Sequence, residues 1–509
     1  APRAARPHCA RSSQTKHPGG APVISIKPSL STPFLIHRSL IAMGGAVALS
    51  CFFFLATSVS AQAPPATPTQ TYRLPEPTRV KLPNGLVILL VEKHELPLTS
   101  LTLALRTGSL EDPVAKPGVN ALAAELLRKG TTTRSAEQLS DALDFMGMTF
   151  AAGSGMENTS INADFLAKDT PKALALVADM VLHPTFPDSE LKKAVAQRQE
   201  RLRTEKDNAQ LVVGNYFLAT LYANHPYSRA LQASEASLGS ITRNDIEAGY
   251  HAAYTPANAV LAVVGDFKTT EMEAELTRLF GGWAGSAPIP IVVPVLKPIT
   301  GRHVLLVDKP DATQTYFILG NVGISQNDPA RPTVRVVNTL FGGRFTSMFN
   351  DELRIKSGYS YGASSYFQEY RTPGPFAMST FTRNATTGPA IDKTIEVLDR
   401  LHAHPFTDDT LHSAKTYLQG TFPPSLEAST SLARVLAIDE VEGISRDRFN
   451  AELEAEQDTT LAQANAAIDR DFPTSQNYVL VIVGKASDIG SLAAKYGTVS
   501  TRKITDPGY

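Results

Sequence analysis

The chain has 509 residues, 43% hydrophobic and 19% charged, with a formal net charge of −1, which is globular composition with room for more than one core. The first 75 residues contain no Asp or Glu, and six of the 48 basic residues precede position 61, so the remainder carries a net charge of −7 and argues against a nucleic-acid partner. Both cysteines, Cys9 and Cys51, fall in that same N-terminal stretch, which leaves the rest without disulfides or thiolate metal ligands.

Arg3, Arg6, Arg11, Lys16, Lys27 and Arg38 precede an apolar run from Leu40 to Val59, and Val59-Ser60-Ala61 supplies small residues at the offset of a cleavage site. Residues 1–61 therefore read as a leader with a signal peptide, followed by a Pro/Thr-rich spacer over 62–71. An uncleaved membrane anchor and an organelle transit peptide are the rival readings. Gly44, Gly45, Ser50, Thr57 and Ser58 dilute the run, and the small-residue cut site that follows it favours secretion.

Beyond the spacer, Leu86 to Val91 and Val260 to Val264 are apolar runs bounded by turn residues, as buried strands require. Gly118 to Thr131 reads as a core helix with Val119, Leu122 and Leu126 inward. Ser135-Ala136-Glu137-Gln138 is a capping box opening a helix with Leu139, Leu143 and Met146 on one face. Thr170-Pro171 places an N-cap before a proline at the first helical position. Asp188 to Lys206 is a long charged helix with Leu191, Val195 and Leu202 inward.

These patterns recur. Leu89-Leu90-Val91-Glu92-Lys93 returns as Leu305-Leu306-Val307-Asp308-Lys309, Phe186-Pro187-Asp188 as Phe406-Thr407-Asp408, and the Asn258 to Gly265 run as Asn477 to Gly484. Three matches in order at nearly one offset mark an internal duplication. Pro288, Pro290, Pro294 and Pro298 between the copies favour an extended connector. The expected organisation is a domain over 72–284, a linker over 285–300 and a second domain over 301–505. Strands, then helices, then a returning strand in each copy give an α+β class with helices packed on a sheet.

In the second copy, Phe345 to Lys356 reads as a helix with Phe345, Met348, Phe349 and Leu353 on one side, ended by Gly358. Ser360 to Phe367 then alternates as a strand. Arg354 thus sits at a helix end and Tyr361 at the start of a strand. An arginine can hold a substrate carbonyl and a tyrosine hydroxyl can donate to a developing oxyanion. The same pair also reads as an arginine capping carbonyls beside a half-buried tyrosine. His402-Ala403-His404 with His412 is the one histidine cluster beyond the leader; two-apart spacing suits a helix end poorly as a metal site, and a capping or surface role is favoured. Gly342-Gly343 lacks the lysine of a phosphate loop, and no G-x-S-x-G nucleophile motif with a placed base occurs.

Taken in order, Leu82-Pro83-Asn84-Gly85-Leu86, Gly108-Ser109 with Glu111, Lys129-Gly130-Thr131, His225-Pro226-Tyr227, Tyr254 to Asn258, Val263 to Asp266, and Glu352-Leu353-Arg354 to Tyr361 resemble the pitrilysin/insulinase family of zinc peptidases. The resemblance covers nearly the whole chain after the leader. It implies two homologous domains, each a mainly antiparallel sheet packed with helices, and a structural rather than ligating His225.

That family's metal motif is H-x-x-E-H on a helix. The matching positions are Ala121, Leu122, Ala123, Ala124 and Glu125. Only Glu125 can bind metal, and one carboxylate cannot hold catalytic zinc. A third ligand, a glutamate of the following long helix, would fall near Glu200. The resemblance therefore implies no cofactor on this chain, with zinc on a homologous partner subunit that completes a heterodimer. It also implies Arg354 and Tyr361 as the catalytic and substrate-binding pair, with Gly342 and Gly343 beside the substrate. The expected function is the non-catalytic, oxyanion-stabilising subunit of a periplasmic zinc peptidase acting on peptides. A structural or assembly subunit and a stand-alone peptide-binding protein remain the alternatives.

Overall fold

The computed structural model describes residues 72–509; the expected leader and spacer lie outside the described residues. Apolar alternation lays down the first sheet from β1 (Thr78–Lys81), β2 (Val87–Glu92) and β3 (Leu98–Leu105). After helices α1 (Val119–Leu126) and α2 (Ala136–Met146) come β4 (Thr149–Ser154) and β5 (Thr159–Leu166). Helices α3 (Thr170–Leu182), α4 (Asp188–Thr204), α5 (Ala209–Tyr222), α6 (Glu235–Gly239) and α7 (Arg243–Ala253) lead to β6 (Ala259–Gly265) and α8 (Thr269–Phe280).

The second half repeats this plan. Strands β7 (Arg302–Asp308) and β8 (Gln314–Val322) precede α9 (Arg331–Asn338) and a short α10 (Met348–Asn350). Then come β9 (Ala363–Phe367), β10 (Pro375–Arg383), α11 (Thr387–Leu401), α12 (Asp408–Ser425) and α13 (Ser429–Glu442). The half closes with α14 (Arg446–Asp458), α15 (Leu461–Asp471), β11 (Tyr478–Gly484), α16 (Ala486–Ala493) and β12 (Thr498–Lys503). Among the described residues no helix is long and apolar enough to cross a membrane.

Both sheets have six strands, ordered β1-β2-β6-β3-β5-β4 and β12-β7-β11-β8-β10-β9. The returning strand, β6 or β11, enters the middle and runs parallel to β2 or β7. Most other pairs are antiparallel, so the α+β class holds, with two similar halves. One edge differs. In the first half β1 precedes β2 and pairs antiparallel; in the second the same place is filled by β12 from the far end, running parallel to β7.

Side chains on opposite faces of each sheet enter different cores, because residues alternate along a strand. Ile88, Leu101, Leu103 and Val263 face the first half's own helices, while Leu89, Ala104, Val260 and Val264 face away. That second face is covered by α13 of the other half, through Leu432, Leu436 and Val441. The exchange is reciprocal: α5 of the first half sets Val212, Val213 and Phe217 against Ile318, Val481 and Val483 of the second sheet. Each fully buried side chain of this size contributes about 1.5–3 kcal/mol of transfer free energy, so the borrowed helices hold the halves together.

Local signals mostly behave as expected. The Ser135 capping box forms, with Ser135 Oγ accepting from the Gln138 N–H and Gln138 Oε1 from the Ser135 N–H at 2.9 Å. Helix α3 starts a residue earlier than its Thr170-Pro171 signal, with Asp169 as N-cap, because the Thr170 hydroxyl donates backwards to the Ala167 carbonyl at 2.8 Å. Helix α1 stops at Leu126, short of Thr131, and starts from Gly118, whose φ of 104° suits glycine. No regular element occurs between Phe280 and Arg302. The connector is pinned by Asn321, which accepts from the Ile299 N–H and donates to its carbonyl, and by His225, whose Nε2 donates to the Pro294 carbonyl at 2.8 Å.

Candidate functional site

Of the helix expected over Phe345 to Lys356, only Met348 onward is helical, as α10 running into a π-helical turn Asp351–Lys356; a separate π turn, Thr339–Gly343, precedes the loop that carries Phe345. Arg344 is extended, at φ −130° and ψ 164°, and the helix resumes only at Met348. Phe345 therefore does not join Phe349 and Leu353 inside; its ring is 63% exposed. Gly342 is fixed by close approach: a Cβ there would lie 2.2 Å from Ser365 Oγ and 2.6 Å from the Ser365 nitrogen. Wide π turns of this kind recur at functional sites.

Asn350 ties the site together. Buried to 3% exposure, its Nδ2 donates to the Phe345 carbonyl at 2.6 Å and its Oδ1 accepts from the Ala363 N–H at 3.0 Å. Gly358, with φ 62°, ends the second π turn. Thr380 of β10 donates to the Gly362 carbonyl at 2.9 Å, and Thr382 to the Tyr359 carbonyl at 2.7 Å. The segment carrying Tyr361 is thus stapled to the sheet two residues before β9 begins.

This scaffold brings Arg354 and Tyr361 together. The Arg354 guanidinium lies 4.5 Å from the Tyr361 ring centroid and 4.7 Å from that of Phe345, so it is held between two exposed aromatic faces. Among the described residues neither the guanidinium nor the Tyr361 hydroxyl has a hydrogen-bond or ion-pair partner. Tyr361 is 75% exposed. On the same π turn, buried Glu352 takes Lys356 at 2.7 Å and Arg400 at 2.9 Å. Burial would raise the Glu352 pKa, but those two partners outweigh it and hold the carboxyl below its ordinary value. The local acid is spent, and Arg354 stays uncompensated.

A cavity of about 490 Å³ opens beside the pair, with Gly342, Gly343, Phe345 and Arg354 in its wall. Strand β9, which contributes Ser364, is the last strand of its sheet, and its outer side is covered: Asn350 takes the Ala363 N–H, Asn338 Nδ2 donates to the Ser365 carbonyl at 3.1 Å, and Gly342 packs against the Ser365 nitrogen. The sequence reading missed Arg344, which also lines this cavity; a cation directly after Gly342-Gly343 was the available signal. A second cavity of about 350 Å³, walled by the linker, Glu111 and Arg371, shares no residue with it.

The positions matching a zinc motif lie on α1, and their residues do not fit the metal. Leu122, Ala123 and Ala124 are buried among apolar neighbours. Glu125 is engaged by Arg198 of α4, with Nη2 at 2.8 Å and Nε at 3.1 Å from Oε2. Arg198 Nη2 also donates to the Ala121 carbonyl at 3.2 Å. Glu200 is not the residue facing Glu125: its side chain is 63% exposed and pairs with Arg203. A guanidinium bound to the lone carboxylate leaves no ligand set for zinc.

The histidine pair is spent elsewhere. His402 Nε2 donates to the Pro473 carbonyl at 2.9 Å, and His404 pairs with Asp469 at 2.9 Å. Among the described residues no group of three or more His, Cys, Asp or Glu side chains is arranged to hold a metal ion. His225 caps a short helical turn through Nδ1, which accepts from the Tyr227 N–H at 3.2 Å.

The family profile described as Insulinase (Peptidase family M16) matches residues 87–235, and the one described as Peptidase M16 inactive domain matches 240–418. An uncharacterised zinc protease of Mycobacterium leprae is 26% identical over 392 residues, 76% of this chain and 87% of that protein. The uncharacterised zinc protease YmxG of Bacillus subtilis is 25% identical over 349 residues, 68% of this chain and 84% of that protein. Among solved structures, a peptidase M16 inactive domain from Pseudomonas fluorescens superposes with a TM-score of 0.75 at 24% identity, covering 80% of this chain and 98% of that one. A protease from Helicobacter pylori gives 0.71 at 19% identity, covering 81% and 100%. By sequence in both halves and by fold, this chain belongs to the insulinase (M16) peptidase family.

Proposed function

We propose that the chain is the metal-free, peptide-binding subunit of a two-chain zinc peptidase, exported to the periplasm by its basic, acid-free leader. One observation carries the reading. An unpaired guanidinium is clamped between two exposed rings beside an open cavity, while the α1 positions that would hold metal are filled by alanine, leucine and an ion pair. A peptide segment lies against the open cavity beside the pair. Arg354 then holds a peptide carbonyl, and the Tyr361 hydroxyl donates to the oxyanion that forms on it. Zinc on a homologous partner supplies the activated water; this chain binds, orients and stabilises.

The test is reconstitution. The purified chain, mixed with a homologue that carries H-x-x-E-H, is expected to cleave peptides that neither chain cleaves alone. Peptide binding by the isolated chain without cleavage in any mixture would favour a stand-alone binding protein. Neither binding nor cleavage would favour an assembly subunit.

A further inference from the structure

Two guanidiniums and no carboxylate line the cavity beside Tyr361. Arg344 and Arg354 are its charged residues; the rest of the wall is glycine, hydroxyl, amide, apolar and aromatic. Among the described residues neither arginine makes an ion pair. Arg344 is held in place rather than neutralised: its Nη1 donates to the Ser413 hydroxyl at 3.1 Å, and its guanidinium lies 5.8 Å from the Tyr417 ring centroid. Its Nε is shielded from solvent and has no partner. An unsatisfied buried donor on a cation costs more than a neutral one, and an anion is the group that best removes the cost. The cavity of about 490 Å³ lies within the roughly 300–1,000 Å³ range of ligand pockets.

We infer that this cavity selects a carboxylate of the bound peptide, with Arg344 as the residue that determines the preference. The inference rests on the peptide-binding reading above and deepens it to a substrate class: peptides that place an acidic side chain, or a C-terminal carboxylate, next to the carbonyl held by Arg354. Arg354 remains the carbonyl clamp, since its two faces are already covered by Phe345 and Tyr361. Arg344, lying on the opposite side of Phe345 in sequence and anchored through Ser413, supplies the second charge.

Three fluorescent decapeptides separate the outcomes when titrated by anisotropy onto the intact chain. The first carries a central Glu and an amidated C-terminus, the second Gln at that place with amidation, the third Gln with a free C-terminus. The expected result is at least about tenfold tighter binding of the first or the third than of the second, in low salt, shrinking as salt screens the charge. The first arm identifies a side-chain carboxylate and the third a terminal one. Arg344→Gln is expected to abolish the difference, and Arg344→Lys to retain most of it. Equal, measurable affinities for all three peptides would overturn the carboxylate preference and leave the peptide-binding reading standing. Binding of none would remove both. A preference that survives Arg344→Gln would also overturn the assignment. Should that variant unfold, the salt dependence of the unmodified chain decides.

Discussion

Arg198 reaches across from α4 to place Nη2 2.8 Å from the Oε2 of Glu125, so a side-chain ion pair closes the helix face matched above to an H-x-x-E-H motif. Both side chains are about one-third exposed, and such a pair contributes little. Arg198→Ala is expected to lower stability by less than about 1 kcal/mol. It should leave the protein without stoichiometric zinc, because a freed Glu125 is still a single ligand. Urea denaturation and metal analysis of the variant check both halves of the statement.

Tyr361→Phe removes a hydroxyl that has no partner among the described residues from a side chain that is 75% exposed. The melting temperature is therefore expected to stay unchanged, since exposed substitutions of this kind move stability by no more than about 0.5 kcal/mol. Turnover by the reconstituted two-chain enzyme is expected to fall by roughly 10²–10³, the loss of one oxyanion donor. An unaltered rate in a rigorously pure complex would remove Tyr361 from the chemistry.

Asn350 holds the Phe345 carbonyl and the Ala363 N–H at once, so it ties the loop carrying Phe345 to the start of β9, two residues after Tyr361. Asn350→Ala leaves a part-buried carbonyl and a buried N–H unpaired and is expected to cost about 1–3 kcal/mol. Peptide affinity should drop more than for Tyr361→Phe, because the clamp itself loosens. Calorimetric melting and peptide titration on the same sample separate the two effects.

Asp439, on the borrowed helix α13, has a pKa pushed up to about 7, first by burial and then by the neighbouring Glu442 carboxylate, against the opposing pull of Arg331. Its Oδ2 has no hydrogen-bond partner. The folded value lies above the unfolded one, so between roughly pH 4 and 7 the native chain holds a proton that the unfolded chain has lost. This group's contribution therefore falls as pH rises through that window. Asp439→Asn should flatten the slope and stabilise the protein at pH 8 by about 1–3 kcal/mol. Denaturation curves at pH 5 and pH 8 test it; an unchanged difference between the two would refute the role.

The sheets were legible because their strands repeat. Leu89 to Lys93 and Leu305 to Lys309 mark β2 and β7, and the Asn258 and Asn477 runs mark β6 and β11. Other features left no such trace. Strand β12 has no counterpart to repeat, since the matching edge in the first half comes from β1. The spacing of Phe345 to Phe349 and Leu353 fits a helix; the periodicity cannot register that Gly342 presses against Ser365 and that Arg344 is extended, which breaks the helix before Met348. The exchange of α5 and α13 was also hidden, because an apolar helix face such as Val212, Val213 and Phe217 does not record which sheet it will cover. Arg354 and Tyr361 were found only through resemblance, as seven residues of separation do not by themselves announce a stacked pair.

Because α5 and α13 each cover the sheet of the opposite half, a cut in the proline-rich connector should leave the two pieces clasped and migrating as one particle. Swinging the halves apart would strip both sheets bare, so the chain moves as a block. On the two-chain reading proposed above, a peptide enclosed against this surface is admitted by the chains parting and not by flexing within this one.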